Sequence, residues 1–224
     1  MPTLIHITDV QIQLDHTSLE GCLNMPENAK ALAIFLNEND NNRFDLKIKY
    51  IARELNQHGI TTLLVDLLAI QEKKEYENRF NIRALSRRLV KVSLWAMQQP
   101  KLRFLAIGFF GAGMGAAIVL QAALIAGHRI KAIVCLDGLP DLAREALPFI
   151  KAPVLFMVGS LDNRIACLNN YAYSMLHCEK EIAIIKSGLN LFNEQTTQAA
   201  ELTSAWFTKI LIPGSIPQKE LNTS

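Results

Sequence analysis

Gly108-Phe109-Phe110-Gly111-Ala112-Gly113-Met114-Gly115-Ala116-Ala117 is the stretch on which the reading of this chain turns. It holds four of the eleven glycines. It lies between an expected strand, Arg103 to Gly108, and a nearly all-apolar expected helix, Met114 to Ala126. Three uses of such a glycine-rich turn compete. A dinucleotide loop wants G-x-G-x-x-G at the first strand of a fold, with an acidic residue about 20 positions on. Here Gly111-x-Gly113-x-Gly115 has another spacing and comes late in the chain. A phosphate loop ends in Gly-Lys-Ser/Thr, and no lysine follows. The third use is the strand-to-helix elbow G-x-S-x-G, whose outer glycines permit a sharp bend that presents a nucleophile. Gly111 and Gly115 fit its frame, and Gly113 stands where the serine would.

Around this turn, short apolar runs alternate with longer amphipathic ones, the pattern of a parallel sheet covered by helices. Val10 to Leu14 and Leu19 to Met25 alternate apolar and polar residues about a polar turn, which predicts an antiparallel hairpin at one sheet edge. Further strands are expected at Ala31–Leu36, Thr61–Asp66, Ala132–Leu136, Val154–Val158 and Ile182–Ile185. Helices are expected at Lys47–Gln57, Asn81–Gln98, Cys167–Leu176 and Gln195–Leu211, with a short one at Asp141–Leu147 capped by Asp141. Gln71 to Asn78 reads as a charged, mobile connection. The fold class is therefore α/β: an eight-stranded, mostly parallel sheet with an antiparallel N-terminal hairpin and helices on both faces. Residues 1–212 read as a single domain and 213–224 as a frayed tail. Ligand clefts of such sheets lie at the carboxyl ends of the strands.

Composition narrows the function classes. The chain has 224 residues, half of them apolar, and 23 Lys+Arg against 21 Asp+Glu leave a net charge of +2. With no block of basic residues, nothing points to nucleic acid. The apolar runs fall short of the ~18 residues that span a bilayer, and the start lacks the basic-then-apolar pattern of a signal peptide, so no membrane partner and a cytoplasmic location are expected. The four cysteines make no C-x-x-C pair and read as reduced, mostly buried thiols. The five histidines are scattered, so no metal site and no cofactor are expected.

The order and spacing of several segments carry a resemblance. They are Thr62–Leu68, Arg79–Ile82, the elbow, Gly138–Ala143, Ala152–Asp162, and Leu191–Glu194 before a helix containing Ala205-Trp206-Phe207. Over roughly residues 9 to 211 the chain resembles the dienelactone-hydrolase-like group of the α/β-hydrolase superfamily. The resemblance places the family's nucleophile on Gly113, its triad acid on Asp162 and its histidine on Asn190. The family's glycine-rich loop near the oxyanion hole falls on Asn37-Glu38-Asn39-Asp40-Asn41-Asn42. Of these positions, only the acid keeps its residue type.

Acyl transfer requires an attacking atom and a base to take its proton. Glycine has no side chain to attack with, and the Asn190 amide is no base near neutral pH. The expectation is a catalytically deficient hydrolase-fold protein, monomer or homodimer, that acts as a small-molecule-binding or protein-interaction module. Asn37, Glu38, Gly111, Met114 and Cys135 are its candidate binding residues. The alternative is an active ester, lactone or thioester hydrolase using other groups, with Cys135, at the end of the strand beside the elbow, as the candidate nucleophile. A cofactor-free lyase or isomerase using the cleft's dipoles is a third reading.

Overall fold

The computed structural model describes residues 3–15, 17–36, 45–159, 162–185 and 193–214. Its strands are β1 (Ile5–Leu14), β2 (Thr17–Pro26), β3 (Ala31–Leu36), β4 (Ile60–Val65), β5 (Ala106–Ala112), β6 (Ile130–Leu136), β7 (Val154–Gly159) and β8 (Lys180–Ile185). Its α-helices are α1 (Leu46–Gln57), α2 (Ile82–Gln98), α3 (Met114–Ala126), α4 (Asn163–Met175) and α5 (Asn193–Leu211). The strands make one sheet in the order β1-β2-β4-β3-β5-β6-β7-β8. β1 and β2 pair antiparallel, as do β2 and β4, and every other neighbour is parallel. The expected class, hairpin and strand number are what the structure has.

The sheet separates two apolar layers. Leu85, Leu89 and Val92 of α2, the alanine-rich flank of α3 and Ala172 of α4 pack on one face with Ile34, Phe109 and Phe156. Ile48, Ile51 and Leu55 of α1 and Ala199, Trp206 and Phe207 of α5 pack on the other with Phe35, Phe110 and Leu155. Phe35 and Phe110, neighbours on β3 and β5, stack with ring centroids 4.5 Å apart. Such a pair contributes about 0.5–1.5 kcal/mol beyond the area it buries. All six residues of β3 and of β4 are buried, which explains why these strands read as unbroken apolar runs rather than alternating ones. Local signals set the helix starts. Asp45 caps α1 by accepting from the amides of Lys47 (2.8 Å) and Ile48 (3.1 Å), and Asn81 caps α2 by accepting from Ala84.

Several expectations need correction. The strand expected at Arg103–Gly108 is β5, Ala106–Ala112. Leu102 and Leu105 instead close turns onto Gln99 and Leu102, so the strand starts later and runs straight into the elbow. No α-helix covers Asp141–Leu147; two short 3-10 turns, Pro140–Ala143 and Leu147–Phe149, stand there, because Pro140 and Pro148 each deny an amide to a longer ladder. Gln71–Asn78 is not a loose connection. Glu72 accepts the Ala69 amide (2.9 Å) and is gripped by both terminal nitrogens of Arg88, which also donates to the Leu67 carbonyl (2.8 Å). The Arg88 guanidinium holds the Glu72 carboxyl below its ordinary range, against a smaller opposing push from burial. Of the four cysteines, only Cys135 is buried, and Cys167 is exposed.

Candidate functional site

A tight bend at Gly113 joins β5 to α3. Gly113 has φ 54° and ψ −124°, a conformation that side chains with a Cβ rarely adopt. Its N–H donates to the Leu136 carbonyl at the tip of β6 (3.0 Å). Its carbonyl accepts from Ala116 (3.2 Å) and Leu139 (3.1 Å), so the bend is tied to both the helix and the neighbouring strand. Gly111 is required by closeness: a Cβ there would lie 2.5 Å from the Gly115 carbonyl oxygen, at the point where strand and helix nearly touch. Half-buried Met114 opens α3. The backbone of a nucleophile elbow is thus present, at the carboxyl end of the sheet where a ligand cleft belongs. The residue at its tip carries no side chain.

Asp162 lies just past β7, as the resemblance implies. It is the N-cap of α4: one carboxylate oxygen accepts from the amides of Arg164 (2.9 Å) and Ile165 (3.2 Å), and the side chain is half exposed. Asn190, Asn37 and Glu38 lie outside the described residues. Cys135 is wholly buried within the apolar layer beneath the elbow, and desolvation pushes its thiol far above the ordinary cysteine range. A thiol so placed neither lines an open cleft nor forms a thiolate for attack. This removes the physical basis for reading it as a binding residue or as the alternative nucleophile.

The structure brings forward a residue the sequence reading passed over. Asp137, directly after β6, has φ 44° and, with Asp15 in the hairpin turn, is one of two non-glycine residues at positive φ among those described. Its N–H donates to the Met157 carbonyl (2.8 Å), and its Oδ1 accepts the Gly159 amide (2.6 Å), so it clasps the tips of β6 and β7. Its carboxylate is exposed and borders a cleft with Lys47 and Ile51 of α1, Leu136, Ile185 and Thr196 of α5. Strained backbone at a strand tip is a mark of functional sites. The available signal was the Asp137-Gly138 dipeptide following a strand, a turn signature that also tolerates left-handed backbone.

Other candidates have structural partners. Asp66, almost fully buried at the end of β4, pairs with the Lys73 ammonium at 3.3 Å. His128 and His177 are exposed. Among the described residues, no group of three or more His, Cys, Asp or Glu could hold a metal ion, and no helix is long and apolar enough to cross a membrane.

A mostly parallel eight-stranded sheet with a glycine-framed elbow after the fifth strand defines the α/β-hydrolase fold. No family model matches the chain. The crystal structure of dienelactone hydrolase from Anabaena variabilis superposes with a TM-score of 0.86 at 34% identity, covering 92% of this chain and 99% of that one. This chain belongs to the dienelactone hydrolase family. The Est1E protein of Butyrivibrio proteoclasticus shares the fold at 14% identity, with a TM-score of 0.75, covering 89% of this chain and 97% of that one. A Mycobacterium tuberculosis protein provisionally named a phosphoribosyl transferase is 32% identical over 201 residues, which are 89% of this chain and 45% of that protein. The chain thus spans a little under half the length of the curated relatives it matches.

Proposed function

We propose that this chain uses the hydrolase scaffold for binding, with a small molecule or a protein partner at the strand tips, and has given up triad hydrolysis. The elbow tip carries the reading: backbone bent to present a nucleophile, with glycine at the presenting position. Attack on an acyl carbon needs a side-chain oxygen or sulfur there and a base beside it. Gly113 supplies no such atom. Asn190, at the position the resemblance gives to the histidine, is an amide, and Asp162 spends one oxygen on capping α4. Shape and apolar lining persist when catalytic groups are lost, so a cleft of this kind still binds. Phosphoribosyl transfer is left with the mycobacterial relatives, whose name covers chains more than twice as long as the aligned region.

The test is a panel of p-nitrophenyl esters, lactones and thioesters, run with a fluorophosphonate probe. The reading expects no turnover above buffer, no labelling, and ligands that raise the melting temperature without being consumed. Turnover abolished by Asp162→Asn would overturn it. A second reading, an ester, lactone or thioester hydrolase built on other groups, is favoured by Asp137, whose carboxylate is fixed at the cleft in a strained conformation. It predicts turnover that Asp137→Asn removes and Asp162→Asn spares.

A further inference from the structure

The two edges of the sheet are built differently. At the β8 edge the strand has six residues and begins Lys180-Glu181, and the Lys209 ammonium of α5 reaches Glu179 (3.0 Å) and Glu181 (3.4 Å). Short length and alternating charge are the devices by which proteins keep an edge from pairing with another chain. The β1 edge has none of them. Ile5 to Leu14 is ten residues long and holds no Lys, Arg, Pro or Gly. It pairs with β2 from Ile5↔Pro26 to Leu14↔Thr17 without a register shift. Its titratable residues are His6 and Asp9.

The hydrogen-bond phase says which groups are open. The Glu27 amide donates to the Leu4 carbonyl across the hairpin (3.2 Å), so even-numbered residues of β1 direct their amides and carbonyls at β2. The backbone groups of Ile5, Ile7, Asp9, Gln11 and Gln13 therefore point out of the sheet. The side chains of Ile5, Ile7 and Asp9 border a groove beside α1, with Lys49 and Arg53 on its other wall. Ile7 is 71% exposed and Leu4 57%.

We infer that β1 is the interface of a symmetric dimer, in which two copies pair antiparallel along this edge and continue the sheet from one chain to the other. A strand in antiparallel register with itself is self-complementary, the condition for a two-fold interface. Centring the axis on Asp9 would set two carboxylates face to face, which is unfavourable. Centring it on Ile7 sets Ile7 against Ile7 and Ile5 against Asp9. Apolar side chains then meet at the axis, and Asp9 of the second copy comes to the groove face that carries Lys49 and Arg53. The outward amides and carbonyls of Ile5, Ile7 and Asp9 find partners in this register.

Analytical ultracentrifugation of the full chain reads the result. The wild type is expected at twice its 25.0 kDa mass, and Ile7→Lys at the monomer mass with an unchanged circular dichroism spectrum. Ile7→Pro removes an outward amide without touching the β1–β2 ladder, and should also give monomer. Ile7→Cys, on the axis, should form an intermolecular disulfide on mild oxidation, because directly opposed strand residues have Cα atoms about 4.5–5.5 Å apart. The inference fails if the wild type sediments as a monomer at about 100 μM, a concentration at which even a micromolar contact is populated. It fails equally if the dimer survives both Ile7→Lys and Ile7→Pro, which would place the interface elsewhere. A dimer lost in Ile7→Lys without cross-linking of Ile7→Cys would overturn the Ile7-centred register.

Discussion

Gly113→Ser restores the residue type that a working elbow would carry, and should make the protein less stable. At φ 54° and ψ −124° a Cβ is strained, and non-glycine residues held in such regions cost on the order of 1–3 kcal/mol. Part of this is offset, because replacing glycine narrows the unfolded ensemble by about 0.4–1 kcal/mol. Taking about 2 kcal/mol of strain and about 0.7 kcal/mol of offset leaves a net loss of roughly 1.3 kcal/mol, and a domain of this size moves about 2–4 °C per kcal/mol, so the melting temperature should fall by about 3–5 °C. Gly113→Ala separates strain from chemistry: it should fall by the same amount, since both variants add a Cβ and only one adds a hydroxyl. Thermal melts followed by circular dichroism at constant pH and protein concentration measure both. An unchanged or raised melting temperature in both variants would refute the strain argument. A fall in Ala alone would mean that the hydroxyl finds a hydrogen bond at the tip.

Other expectations follow from the same geometry. Asp162→Ala removes the α4 cap and should cost about 1 kcal/mol, seen as a lower denaturant midpoint at unchanged slope. Glu72→Gln should lower the melting temperature at neutral pH. Because the folded-state pKa of Glu72 is depressed, its contribution is complete above the ordinary carboxylate range and is lost as pH falls through the folded value. Wild type and variant should therefore converge in acid, and a gap that persists at low pH would contradict the ion-pair account. Iodoacetamide on the native protein should modify exposed Cys167 well before Cys135, read by peptide mass spectrometry. Early modification of Cys135 would contradict its burial.

Much of the architecture can be read from residue patterns alone, for identifiable reasons. Helix α3 was delimited at both ends because thirteen almost wholly apolar residues flanked by Gly113 and Gly127 leave little choice. The β1–β2 hairpin declared itself by alternation from Val10 onward, but the first half of β1, Ile5 to Asp9, was not expected as strand. The start of β5 was misplaced because a run without periodicity carries no information on where pairing begins; only the contacts of Ala106 to Ala112 with β3 and β6 settle it. The ordered turns at 72–80 were invisible for another reason. Glu72 and Arg88 are sixteen positions apart, and charge density suggests solvation until the fold brings opposite signs together. At the site, spacing exposed Gly113, and the family resemblance pointed to Asp162. Asp137 emerges only from the fold, because its signature is a backbone angle and a bond to Gly159 across two strand tips.

The hydrogen bonds that fix the bend at Gly113 run entirely between main-chain atoms, through Leu136, Ala116 and Leu139. No side chain at that position is needed to keep its shape. The chain can therefore be fitted with a new reactive group without rebuilding its scaffold. A thiol introduced by Gly113→Cys would stand at the start of α3, where the positive end of the helix dipole favours the thiolate. The same independence lets an attacking atom be lost or regained at this site at the cost of a modest local strain, while the proton acceptor that hydrolysis also needs must come from a second change, at Asn190.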